Sequence, residues 1–134
     1  MEDSIFTKII KGEVPCHKIY EDDYTIAFLD IHPIQPGHTL VVPKVQIDHI
    51  DDLSDEYYHA VWSTVKLIAK AHKNAFGMDR VGLKVEGIDV PHAHVHVFPF
   101  TTSQQFRNNP DMAAEPNHTE LTEIAEKIKE SLNA

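Results

Sequence analysis

Residues 91–98 read Pro-His-Ala-His-Val-His-Val-Phe, so His92, His94 and His96 alternate with Ala93, Val95 and Val97. In an extended chain successive side chains point to opposite faces, which places the three imidazoles on one face at steps of about 7 Å. The small apolar residues take the other face, where a core would want them. Three readings fit such a row. It can be a half-buried strand whose polar face simply happens to be imidazole. It can be a metal site, because His-x-His on a strand chelates zinc or iron. Or it can be a centre for attack on phosphorus: an imidazole nitrogen is nucleophilic and largely neutral near pH 7, and a neighbouring imidazole can donate to phosphate oxygens or carry a proton to the leaving group. Spacing alone does not separate the last two.

The elements that must position this row are legible in outline. Residues 4–11 carry Ile5, Phe6, Ile9 and Ile10 at helical spacing, and Gly12 and Pro15 end that helix. Residues 17–20 and 25–29 read as strands around the acidic turn Glu21-Asp22-Asp23. Pro33, Pro36 and Gly37 make residues 31–37 a loop, and residues 39–42 are a strand stopped by Pro43. A long helix starts at the N-cap Ser54, with Asp55 and Glu56 in its first turn and Gly77 just past its end. Its expected apolar stripe is Val61, Trp62, Val65, Ile68, Ala69 and Phe76. Strands follow at 81–85 and 93–98. Residues 101–116 are long for a structureless loop, with a turn at Asn108-Asn109-Pro110, and are expected to be functional or mobile. A helix over about 118–132 closes the chain, with Asn117 and Glu120 as a capping box. The fold class is α+β: a mostly antiparallel sheet of about five strands with one long central helix and a shorter helix near each end, residues 1–134 forming a single domain.

Composition narrows the partners. Twelve basic against 21 acidic side chains give a formal net charge of −9. Binding a nucleic-acid polymer requires many phosphates to be neutralised, so this chain is a poor candidate for it, while a few local donors can still hold a small phosphorylated ligand. Cys16 is the sole cysteine, so no intrachain disulfide forms and a reducing compartment fits. The acidic start Met-Glu-Asp-Ser leads into no long apolar run, and no stretch approaches a membrane span. A cytoplasmic protein with no membrane contact is expected.

The residues 92–98, His-Ala-His-Val-His-Val-Phe, resemble the signature of the histidine triad nucleotide-binding family, a His-x-His-x-His-x-x pattern with apolar x. The likeness continues upstream through 5–15, through Tyr20-Glu21-Asp22-Asp23, through Ala27-Phe28-Leu29-Asp30-Ile31-x-Pro33 and through 36–44. The short length resembles the family's Hint branch. The resemblance implies that His94 attacks the α-phosphorus and becomes a nucleotidyl-imidazole, its second ring nitrogen held by a backbone carbonyl. It implies that His96 hydrogen-bonds the α-phosphate and assists the leaving group, with His92 and His38 supporting the site. Asp30 would accept from the ribose hydroxyls, and Ile5, Phe6, Phe28, Ile31 and Leu40 would wall a purine pocket. Without the resemblance, those apolar residues read first as plain core, and His38 and Asp30 as loop residues. His17, His49, His59, His72 and His118 match no site position and are expected at the surface or at edges.

The implied activity is hydrolysis of purine nucleoside 5′-phosphoramidates or related adenylated compounds, with AMP or GMP as product, no cofactor and no metal. The resemblance also implies a homodimer with its sheets joined across a two-fold axis. A nucleotide-binding scaffold with vestigial catalysis and a metal-dependent protein are the alternatives. The chain departs from the family pattern in two places. Ser4 and Thr7 stand where several members carry the Cys-x-x-Cys of a structural zinc site. Residues 84–90 are short and lack the asparagine and Gly-Gln pair that help hold the phosphate; Ile88 falls where the glutamine would be, and Glu86 and Asp89 add negative charge.

Overall fold

The computed structural model describes residues 2–133. Five strands, β1 (Lys18–Glu21), β2 (Thr25–Leu29), β3 (Thr39–Pro43), β4 (Arg80–Lys84) and β5 (Val95–Phe100), form one sheet in the order β1-β2-β3-β5-β4. Every neighbouring pair is antiparallel. The helices are α1 (Ile5–Ile10), α2 (Asp55–Phe76), α3 (Ser103–Phe106) and α4 (His118–Leu132), with a single 3₁₀ turn at Ile50–Asp52. The α+β class, the five strands and the placement of the three main helices follow the expectation.

The sheet carries different partners on its two faces. Ala27, Leu29, Val41, Val95 and Val97 pack with Val61, Val65 and Ile68 of α2 and with Leu121, Ala125 and Ile128 of α4. On the opposite face Ile26, Phe28, Leu40 and Val42 pack with Phe6 of α1. Strands buried on both sides read as continuous apolar runs rather than alternations, and β2 and β3 are buried at every position. This second, smaller layer is where the histidine row lies.

The helix ends are capped as their sequences suggest. Ser4 accepts from Thr7 N–H at the start of α1 and Ser54 from Tyr57 N–H at the start of α2, while Gly77 closes α2 at φ +63°. Asn117 accepts from Glu120 N–H, but the reciprocal box closes elsewhere, between Thr102 and Gln105 at α3. The 101–116 stretch is therefore not structureless. α3 packs Phe106 against Phe98 and Phe100 at ring distances of 5.5 and 5.2 Å. Asn108 N–H closes the turn after α3 on the Gln105 carbonyl at 3.3 Å. Pro43 ends β3 as its last paired residue, opposite Thr25, rather than just beyond it.

The buried stripe of α2 is Val61, Thr64, Val65, Ile68, Ala71 and His72, with Trp62, Ala69 and Phe76 only partly covered. Two polar residues thus replace apolar ones in the expected stripe. Each has a partner on the sheet: Thr64 Oγ1 lies 2.7 Å from Thr25 Oγ1, and His72 Nε2 lies 3.0 Å from Thr39 Oγ1. His72 was expected at the surface and is instead fully buried. Among the described residues no helix is long and apolar enough to cross a membrane.

Candidate active site

β5 begins at Val95, so His92, Ala93 and His94 precede the strand and only His96 sits in the ladder, between Leu40 of β3 and Lys84 of β4. The lead-in is held from outside the sheet, where Ala93 N–H donates to the Ile47 carbonyl at 2.7 Å. The row is also far more buried than an exposed polar face. His92 is fully enclosed and His94 is 6% exposed, with only His96 half-buried. Phe6 of α1 covers them, its ring edge-on to His94 at 5.0 Å and to His92 at 5.8 Å.

Hydrogen bonds to groups of known polarity determine where each ring carries its proton. His94 Nδ1 lies 2.7 Å from the His92 carbonyl. A carbonyl only accepts, so Nδ1 carries the proton and Nε2 of the neutral ring is bare. The Ile34 N–H donates to His38 Nδ1 at 3.0 Å, so His38 carries its proton on Nε2. That proton is directed at His96 Nδ1, 2.9 Å away. His96 therefore accepts on Nδ1 and carries its own proton on Nε2. The result is a bare imidazole nitrogen beside an imidazole N–H, on rings 5.0 Å apart. Burial, with help from neighbouring imidazoles and the Lys84 ammonium, lowers His38 to about 3 and His96 to about 4, so both are neutral at pH 7. His92 is sealed in the same way. Its Nε2 donates to the Pro43 carbonyl at 2.9 Å and its Nδ1 accepts from Ser4 Oγ at 2.8 Å, while burial lowers its pKa.

His94 and His96 line a cavity of about 560 Å³, within the usual range for small-molecule sites. Its walls include Ile5, Phe6, Phe28, Ile31, Leu40, Asp30 and His38, which brings all the residues singled out in the sequence except His92 to one hollow. Phe6, Phe28 and Leu40 are also core residues, whereas Ile5 and Ile31 are 43% and 41% exposed and form an open lip. Asp30 Oδ1 accepts from His32 N–H at 2.8 Å and Oδ2 lies 3.8 Å from His38 Nε2. Burial raises the Asp30 pKa, opposed by the His32 amide and by the nearby imidazoles.

Residues 11–103 match the model of the HIT domain. This chain belongs to the HIT domain family. It is similar to an uncharacterized HIT-like protein of Methanocaldococcus jannaschii, 33% identical over 131 residues covering 93% of this chain and 98% of that one. The purine nucleoside phosphoramidase of Escherichia coli K12 is 34% identical over 102 residues, 72% of this chain and 86% of that enzyme. The crystal structure of a HIT-like protein involved in cell-cycle regulation from Bartonella henselae superposes with a TM-score of 0.85 at 34% identity, covering 96% of each chain.

Two possible metal positions in this HIT domain can be tested against the hydrogen bonds. Asp30, His38 and His96 offer one ligand atom each, all within 4.8 Å of one another. His38 fails as a ligand there, because the Ile34 amide takes its Nδ1 lone pair and forces the proton onto Nε2, the nitrogen a metal would need. At the α1 position, Ser4 Oγ is taken up by His92 and by Thr7 N–H, and Thr7 Oγ1 donates to Gln46 Oε1 at 2.7 Å. Hydroxyls already engaged in neutral hydrogen bonds do not fit a structural zinc. The same network shows a residue the sequence did not single out: Gln46 joins the start of α1 to the triad, also accepting from Ser4 N–H at 2.8 Å. Its signal would have been a polar residue just after β3, too common to stand out. Among the other histidines of this HIT domain, His49, His59 and His118 are exposed and His17 is partly covered at the edge of β1. His17 Nε2 lies 2.9 Å from His118 Nδ1, and neither lines the cavity that holds His94 and His96.

Proposed function

We propose that this HIT-family chain is a nucleotide hydrolase that cleaves the bond to the α-phosphate of purine nucleoside 5′-phosphoramidates or related adenylated compounds, by way of a nucleotidyl-His94 intermediate. The observation that carries the reading is the pairing of a bare His94 Nε2 with the His96 Nε2–H at one cavity. The phosphoramidase activity in the name of the Escherichia coli relative supports the same chemistry. In the first displacement the His94 Nε2 lone pair forms a bond to phosphorus as the leaving group departs with the electron pair of its own bond. His96 Nε2–H hydrogen-bonds that group; when it is an amine, the proton it gains is drawn from solvent through His96, so the ring stays neutral. Water then adds to phosphorus as it gives up a proton to solvent, the N–P bond breaks with its electron pair returning to His94 Nε2, and the mononucleotide leaves.

The remaining roles follow from position. Phe6, Phe28, Ile5, Ile31 and Leu40 would hold the purine, and Asp30 Oδ2 would accept from the ribose hydroxyls. His38 passes the orientation set by the Ile34 amide to His96, and His92 offers the carbonyl that orients His94. A homodimer belongs to the proposal: β4 is an edge strand, with Leu83 on it and Val85 just past its end exposed, a surface that pairing with a second copy would cover.

The decisive experiment is denaturing capture of protein after brief exposure to α-phosphate-labelled adenosine 5′-phosphoramidate. Wild type retains label and releases AMP, while His94→Ala does neither. Turnover by His94→Ala at the wild-type rate refutes the reading. Light scattering at the monomer mass removes the dimer.

A further inference from the structure

Lys84 is the one lysine or arginine among the described residues lining the cavity that contains His94 and His96. It lies directly opposite His96 in the β4–β5 ladder, so both side chains rise from the same face of the sheet. Nζ donates to the Phe106 carbonyl at 2.9 Å and sits 4.8 Å from the Phe106 ring centre and 5.5 Å from that of Phe98. Phe98 is the next residue beyond His96 on that face. The ammonium is thus held past His96, on the side leading away from His94. In an in-line displacement the leaving group departs from phosphorus opposite the attacking nitrogen. With His94 attacking, that is the side of His96 and Lys84.

We propose that Lys84 is a specificity-determining residue that stabilises leaving groups departing as oxyanions, such as sulfate, phosphate or carboxylate, over amines. This rests on the assignment of His94 as nucleophile. When the P–O bond to such a group breaks, the oxygen keeps the electron pair and the group leaves as an anion with no proton needed. A fixed cation stabilises the charge as it develops. When a P–N bond breaks, the nitrogen must gain a proton, drawn from solvent through His96 so that the ring stays neutral, and the product amine leaves uncharged. A neighbouring ammonium gives that step nothing. Glu86 and Asp89 also line the cavity, but both are exposed while Lys84 is half-buried. Water and salt screen the carboxylates more than the lysine.

The test compares adenosine 5′-phosphosulfate with adenosine 5′-phosphoramidate, two substrates with one nucleoside and different leaving groups. Wild type, Lys84→Met, Lys84→Arg and His94→Ala are assayed on both, with AMP affinity measured for each variant to confirm an intact pocket. Lys84→Met is expected to lower kcat/KM for the phosphosulfate about 10- to 100-fold, at the low end of or below the loss seen when one oxyanion-hole donor is removed. Its effect on the phosphoramidate is expected to stay within about 3-fold, and Lys84→Arg restores most of the phosphosulfate rate. Equal loss on both substrates, or no loss on the phosphosulfate, overturns the role of Lys84 and leaves the nucleophile standing. A wild type inert on both, or His94→Ala turning over either at the wild-type rate, overturns the nucleophile assignment and the role of Lys84 with it.

Discussion

His72 provides the sharpest quantitative test of the fold, because it is a fully buried histidine on the central helix whose one side-chain hydrogen-bond partner among the described residues is the Thr39 hydroxyl. Its Nδ1 meets no hydrogen-bond partner among the described residues. Burial lowers its pKa from 6.5 to about 4, opposed by the Gly37 carbonyl. The unfolded chain therefore binds a proton at His72 as pH falls through 6.5, and the folded chain does so only near 4. Between those values the unfolded state holds more protons, so stability must fall as the solution is acidified. Integrating that difference from pH 7 to pH 5 gives a loss of about 2 kcal/mol from this one ring. His38 and His96, lowered to about 3 and about 4, add to the acid sensitivity of wild type in the same direction. Replacing His72 by leucine removes the His72 contribution alone. Urea unfolding of wild type and His72→Leu at pH 7 and pH 5 is the assay. The variant should lose about 2 kcal/mol less than wild type over that interval. An identical pH dependence in the two proteins refutes the account of His72 as a neutral, sealed ring.

Three further outcomes follow from the same geometry. Ser4→Ala removes both the α1 cap and the hydroxyl partner of His92; a loss of about 1–3 kcal/mol in thermal or urea unfolding is expected, and no change would show that the buried ring finds another donor. A Cβ at Gly82 would meet the Phe106 and Phe98 rings at 2.8 Å; Gly82→Ala should loosen α3 and speed limited proteolysis within 101–107, with unchanged cleavage counting against the packing. Asp30→Asn should narrow the preference for ribo- over 2′-deoxyribonucleotide substrates in kcat/KM, and an unchanged ratio would remove Asp30 from the ribose.

The triad and the α+β class were readable from residue types, because apolar alternation and a repeated imidazole are local signals. Strand and helix limits fell within a residue or two for the same reason. The pocket wall, by contrast, was legible only through the family resemblance, since Ile5, Phe6, Phe28, Ile31 and Leu40 by themselves read as core. The burial of His72 was not readable: it depends on Thr39 lying across the sheet from α2, and no local pattern reports that pairing. The tautomers of His38 and His96 were equally hidden, because they originate at the backbone amide of Ile34, which every residue except proline possesses. The direction of Lys84 waited on the β4–β5 register, which one residue of slip would have reversed. The extent of burial of His92 and His94 was underestimated, because the alternation alone does not show that α1 folds over that face.

Ser4 ties the first turn of α1 to His92, and the carbonyl of His92 orients His94. The helix that lines the proposed base pocket and the ring that would attack phosphorus are thereby one mechanical unit, so neither shifts without the other. Accommodation of differently shaped substrates is left to the opposite bank of the hollow, where Ile88 and Met112 stand 79% and 66% exposed. Variation in that bank can retune what is accepted while the attacking ring and the proposed base pocket keep their alignment.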